Sequence, residues 1–311
     1  METITIKNKN YFELNLLIVL LIIFYICLAI LFKASVTKSQ ETLTEITVLF
    51  FVSLFIIKVI EFIRGGILQT TIQALFVFIF FAYFFGLSSK FQLIVYSHWQ
   101  DAKLIELDQI FFGSELSLSL EKFITPYLTE AMMFAYVFYL PLLILTAIIV
   151  YKISGDKGLA EYLFALSLCY ILCYIGFILF PVASQMYFMP GKYSVPLKGG
   201  LFTYLSELIR HNLHFIGGSL PSPHCAAATV ILWACFKNSR KIFFIILPSI
   251  ILLYISTVDG RFHYFMDLLT GILTGYLAIL IYPSVQKIIN LLKTFYDCML
   301  NPVSINNTLS E

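Results

Sequence analysis

The sequence predicts an all-α fold, a polytopic transmembrane bundle of about eight membrane helices with a core of five to six of them toward the C-terminus. Three observations predict it. Of 311 residues, 60% are apolar or aromatic and only 12% are charged, roughly half the charged fraction of a typical soluble domain. Charge is costly in hydrocarbon, so that depletion indicates a bilayer. Eight stretches approach or reach the roughly 20 apolar residues that cross a membrane: 12–33, 43–63, 67–88, 129–152, 159–181, 222–238, 241–258 and 263–285. Only two long connections, 89–128 and 182–221, separate them.

Each element has its own signal. Lys7 and Lys9 precede the first apolar run, which is too long for a signal peptide and lacks a small-residue cleavage site, so it reads as an uncleaved membrane helix. The second run carries Lys58 and Glu61, whose three-residue spacing allows them to pair on one helix face. The sixth and seventh runs are separated only by Lys237–Lys241 and read as a tight helical hairpin. Of the six cysteines, Cys169 and Cys173 share a helix face. They read as small packing hydrophobes, and no disulfide framework is indicated.

The connection 89–128 holds Asp101, Glu106, Asp108, Glu115 and Glu121, with Leu104-Ile105 and Ile110-Phe111-Phe112 suited to a membrane interface. The connection 182–221 is rich in Pro, Gly and Tyr, and its middle, 201–213, predicts a short amphipathic helix ending near His214. The organisation expected is therefore a three-helix membrane module (1–88), an acidic interfacial loop (89–128), a membrane core (129–288) and a tail (289–311). Basic residues in the short loops favour both termini on the cytoplasmic side. A bacterial inner membrane is the expected location, with the 182–221 loop on its non-cytoplasmic face. The net charge of +2 and the lack of a basic stripe speak against nucleic acid as a partner.

Two segments carry candidate chemistry: Gly217-Gly218-Ser219-Leu220-Pro221-Ser222-Pro223-His224, and Asp259-Gly260-Arg261-Phe262-His263-Tyr264-Phe265-Met266-Asp267. Each places a histidine where a loop enters an apolar helix, and both loops fall on one membrane face. His263 and Asp267 are four apart, so they share a helix face. A carboxylate beside an imidazole fixes its tautomer and leaves the other nitrogen free to act as nucleophile. His224 then suits general acid and base catalysis. Ser222, Arg261, Lys192 and Lys198 are the candidates for binding phosphoryl oxygens. No metal ligand set and no cofactor is called for.

These segments resemble the second and third signature motifs of the type 2 phosphatidic acid phosphatase superfamily. Pro221-Ser222-Pro223-His224 is similar to Pro-Ser-Gly-His. Ser256-Thr257, five residues, His263, three residues and Asp267 is similar to Ser-Arg, five residues, His, three residues, Asp. The run Gly260-Arg261-Phe262-His263-Tyr264 with Asp267 looks closer to the inositol phosphorylceramide synthase-like branch. The resemblance spans about 129–285. It implies a helical catalytic core, a phosphohistidine on His263, leaving-group protonation by His224 and no metal. It also implies a lipid phosphate substrate, handled in the bilayer by a lipid phosphatase or a head-group phosphotransferase. The family's first motif, Lys, six residues, Arg-Pro, is missing: Phe180–Tyr187 carries no basic residue, and Thr257 stands where many members have Arg. A non-catalytic relative and a transporter with buried charges are the other readings that the residues leave open. The sequence says nothing of the oligomeric state.

Overall fold

The protein is described by a computed structural model covering residues 11–300 apart from 64 and 214. Lys7, Lys9, Arg64 and His214 therefore lie outside the described residues. Among those residues the chain is helical, with no strand. The N-terminal module is α1 (Phe12–Leu31), α2 (Ser39–Phe62) and α3 (Ile67–Ser88), and α3 runs on into a 3₁₀ turn, Ser89–Ile94. Two short helices follow, α4 (Asp101–Phe112) and α5 (Leu116–Leu120). Then come α6 (Pro126–Leu179), α7 (Gln185–Phe188), α8 (Leu201–Leu213), α9 (Pro223–Asn238), α10 (Arg240–Asp259) and α11 (Phe265–Leu300). Among the described residues, six helices are long and apolar enough to cross a membrane: α1, α2, α3 with its extension, α6, α10 and α11 up to Phe295.

The sequence separates residues 129–152 and 159–181 by a loop, but the chain stays helical between them. Its 54 residues, at about 1.5 Å each, would be far longer than the roughly 30 Å of bilayer hydrocarbon. A single residue resolves this: Gly155 takes φ 62°, ψ −158° and folds α6 into two arms. The arms run antiparallel, with the Tyr139 and Tyr170 hydroxyls 2.5 Å apart and the Tyr162 hydroxyl donating to the Leu143 carbonyl at 3.2 Å. α6 thus supplies two of the eight expected passes. α9, at 16 residues, is not among the six helices long enough to cross and is walled in by α6, α10 and α11. The α9–α10 hairpin turns on Ser239 alone, whose hydroxyl accepts from Ile242 N–H at 3.4 Å and caps α10. Lys58 and Glu61 pair at 2.8 Å on α2, as their spacing predicts.

Where lipid surrounds a bundle, helices associate through close packing and interhelical hydrogen bonds rather than by the hydrophobic effect. Both devices appear. Asn15 and Gln73, buried between α1 and α3, bond at 2.8 Å. The Tyr25 hydroxyl donates to the Tyr174 carbonyl and the Tyr174 hydroxyl to the Phe81 carbonyl, joining the N-terminal module to α6 in one continuous core. On α11, Gly271 and Gly275 present bare backbone to α9. A Cβ on Gly271 would stand 2.6 Å from the Ser222 carbonyl oxygen, and one on Gly275 would stand 2.3 Å from that of Ala226. Glycine is required there by proximity, and the first turns of α9 and α11 are drawn together as a result.

That contrast is testable. Gly275→Ala has no room and forces α9 off α11, which should cost about 1–3 kcal/mol and lower the unfolding midpoint in detergent. Gly86→Ala meets nothing within 4 Å on α3 and should leave the midpoint unchanged or raise it.

Candidate active site

Two turns meet at the end of the bundle where α9 and α11 begin. In the approach to α9, Gly217 (φ 99°) and Gly218 (φ 69°) adopt left-handed backbone, which side chains other than glycine rarely tolerate. Ser222 caps α9, its hydroxyl accepting from Cys225 N–H at 3.4 Å. Pro223 takes the first helical position, where its missing N–H leaves no intrahelical bond unmade. His224 follows, half-buried, stacked on Tyr136 (centroids 4.6 Å) and tilted against Tyr139 (4.8 Å), both on the first arm of α6.

In the turn between α10 and α11, the N–H groups of Phe262 and His263 both donate to the Thr257 carbonyl, at 3.1 and 2.9 Å. Asp267 Oδ2 accepts Tyr264 N–H at 2.9 Å, the carboxylate half of a capping box. α11 accordingly starts at Phe265, and His263 precedes it rather than sitting in its first turn as the spacing predicts. The pair still meets, Nδ1 to Oδ2 at 3.4 Å, because the cap folds the carboxylate back. Ser219 joins them: its hydroxyl donates to Asp267 Oδ2 at 2.5 Å and lies 3.1 Å from His263 Nδ1. With Nδ1 engaged, Nε2 is the ring nitrogen left for the cleft that His263 lines. The His224 and His263 rings stand 6.0 Å apart, centroid to centroid. Phe85, Ser184, Gly217, Gly218, Ser219, Pro223 and Phe262 complete the lining.

The structure brings His224, His263 and Asp267 together, and it places the four phosphate-binding candidates off that lining. The Ser222 hydroxyl is committed to its cap. Arg261, at φ 64°, donates from Nη2 to Glu121 at 3.1 Å and to the Val195 carbonyl at 2.6 Å, and its guanidinium lies 4.0 Å over the Tyr193 ring. Lys192 and Lys198 are exposed on the connection before α8. Thr257, where the resemblance has Arg, is fully buried, its hydroxyl donating to the Tyr254 carbonyl at 2.7 Å and facing Cys225. Among the described residues, no three His, Cys, Asp or Glu side chains converge to hold a metal ion.

The acidic stretch folds inward. Asp101, fully buried at the start of α4, accepts from Ala183 N–H (2.8 Å), Ser184 N–H (3.1 Å) and the Tyr264 hydroxyl (3.0 Å). Burial raises its pKa, against the pull of those donors. Glu115 caps α5 and accepts from the Gln185 amide. Burial would raise the pKa of Glu121, but the N–H of Val195, the Ser194 hydroxyl and the Arg261 charge outweigh it and lower the value. Thus the Phe180–Tyr187 segment is pinned by carboxylates from α4 and α5. Ile110, Phe111 and Phe112 face outward from the same layer, while Leu104 is buried.

A model of the PAP2 superfamily matches residues 102–281, more than half of the chain. The chain belongs to the PAP2 superfamily. No curated protein and no solved structure matches it significantly. The PAP2 match takes in α4 and α5 as well as the paired histidines, and it stops short of α1–α3. PAP2 proteins are generally phosphatases, which makes this chain a PAP2 protein of lipid phosphatase or phosphotransferase type, integral to the membrane. Sequence reasoning missed Ser219, Tyr136 and Tyr139. Ser219 sits in the segment it singled out. The two tyrosines, three apart, carry no signal among 19 Tyr.

Asp108 gives this layer a pH dependence. Burial lifts its pKa to about 6, and its Oδ1 has no hydrogen-bond partner among the described residues. The folded protein thus keeps a proton on Asp108 to about pH 6, whereas the unfolded chain releases it near 4. Stability conferred at acid pH is therefore lost as pH rises through that window. Asp108→Asn should unfold at a higher temperature than wild type at pH 7.5, and the gap should close toward pH 4. A gap of constant size across that range would contradict the assignment.

Proposed function

We propose that the protein is a membrane-embedded lipid phosphatase that acts on a lipid phosphate or pyrophosphate through a phosphohistidine on His263. The observation that carries this reading is the facing of two imidazoles across one cleft, one of them backed by a buried carboxylate. In this reading His263 Nε2 attacks phosphorus, and the bond to the lipid oxygen breaks. His224, protonated, gives its proton to the departing alkoxide. Water then attacks the phosphohistidine, passes its proton to His224, and breaks the N–P bond to release phosphate. Asp267 and Ser219 hold Nδ1 and steady the positive charge that the ring acquires. The apolar tail enters between helices, which explains a hydrolytic site at the end of a membrane bundle. The distribution of basic residues in the short loops supports placing that end on the non-cytoplasmic face of a bacterial inner membrane.

Head-group transfer is a second reading, favoured by the lining itself. Among the described residues, no Lys or Arg lines the cleft. A phosphodiester brings one negative charge, whereas a phosphomonoester brings up to two and calls for cationic partners. Here His263 attacks a diester lipid, the lipid alcohol leaves with the proton of His224, and a second lipid hydroxyl takes the place of water. The likeness of Gly260–Tyr264 and Asp267 to the inositol phosphorylceramide synthase-like branch supports the same reading.

Incubating the purified protein in detergent with labelled phosphatidic acid or an isoprenoid pyrophosphate decides between them. Phosphate release should be abolished in His263→Ala and should fall about 10²–10⁴-fold in His224→Ala. No release from either monoester, with product formed from a diester donor and a lipid alcohol, would establish transfer. Turnover that is indifferent to His263 would remove both readings.

A further inference from the structure

Gln92 belongs to the N-terminal module, in the 3₁₀ turn after α3, and lies outside the residues matched by the PAP2 family. It is nevertheless built into the site. Its side chain is 1% exposed. Oε1 accepts Gly218 N–H at 2.7 Å, and Nε2 reaches the Ile216 carbonyl at 3.4 Å. The fit is mutual, since a Cβ on Gly217 would come within 2.1 Å of Oε1. From the same module, Phe85 lines the cleft.

The residue after Gly218 is Ser219, whose hydroxyl touches both His263 Nδ1 and Asp267 Oδ2. Two successive left-handed glycines have wide conformational freedom unless something fixes them. A buried N–H without an acceptor is costly. One carboxamide meets both needs, and the tautomer and orientation of an imidazole follow from the partner of its Nδ1. We propose that Gln92 is a positioning residue: it fixes Gly218, and through it the Ser219 hydroxyl against His263, so that the N-terminal module sets the aim of the nucleophile. The inference rests on the phosphoryl-transfer reading of His263.

The test uses orthovanadate, which adopts the five-coordinate geometry of phosphoryl transfer. Its affinity is measured from the thermal stabilisation of the full chain in detergent. Wild type should bind and His263→Ala should not. Gln92→Met keeps the bulk but loses the acceptor, and should weaken binding at least tenfold. Gln92→Glu keeps the acceptor and should restore most of the affinity. Because Gln92 acts through Ser219, the double variant Gln92→Met/Ser219→Ala should bind no more weakly than Ser219→Ala alone. A merely structural role for Gln92 would instead multiply the two losses, and that result, or wild-type affinity in Gln92→Met, would overturn the proposal. If Gln92→Met does not fold, Ser219→Ala decides alone, since wild-type affinity there breaks the chain of contacts. A wild-type protein that ignores vanadate, or a His263→Ala protein that binds it equally, would instead refute the phosphoryl-transfer reading itself.

Discussion

The carboxylate of Asp267 is the constraint from which the rest of the site follows. It is fully buried, and a polar group in that position needs hydrogen bonds. One oxygen, Oδ2, takes Tyr264 N–H, the Ser219 hydroxyl and the neighbourhood of His263 Nδ1. The first contact starts α11, the second ties down the approach to α9, and the third orients an imidazole. The Asp267 carbonyl adds a fourth tie by accepting Ser222 N–H at 3.0 Å. Folding and chemistry use the same group: the cap that begins a helix also fixes which nitrogen of His263 meets the cleft.

Backbone proximity then does what no side chain does alone. Gly271 and Gly275 let α11 approach α9 closely enough for Ser222 and Asp267 to share that bond. The same approach sets the two histidines opposite each other. Tyr136 acts from a third helix, stacking on His224 and, at 4.0 Å, on Phe262. Its ring is thus shared between the residue before His263 and His224 itself. The geometry of the two imidazoles is held by α6, α9 and α11 together, which is why it sits at the end of the bundle where all three converge.

How much of this is legible in sequence depends on the range of the interaction. Apolar runs announce helices, because bilayer thickness imposes a length. His263 and Asp267 announce each other through a spacing of four, although the contact finally arises from a cap. The break in α6 hides inside Gly155-Asp156-Lys157-Gly158, which has the composition of a loop yet is helical on both sides of one residue. The acids of 101–121 read as an interfacial loop, since nothing local reveals that their partners are backbone N–H groups some 70 to 80 positions away. Arg261 reads as a phosphate ligand for the same reason: its carboxylate partner Glu121 is 140 residues distant. Cations are easily assigned to anions from sequence, but a fold can satisfy them internally first.

That internal satisfaction bears on the chemistry. Asp101 and Glu115 pin the Phe180–Tyr187 segment, and Glu121 occupies Arg261, so the positions where the resemblance expects cations on phosphate are instead held by carboxylates. Opposite charges at close range in a poorly solvated site interact strongly, so Glu121 holds Arg261 in a pair that stands off the lining of the cleft. The same carboxylates thus brace the loop at the positions where the resemblance expects ligands for phosphate, so this part of the fold gives its charges to architecture.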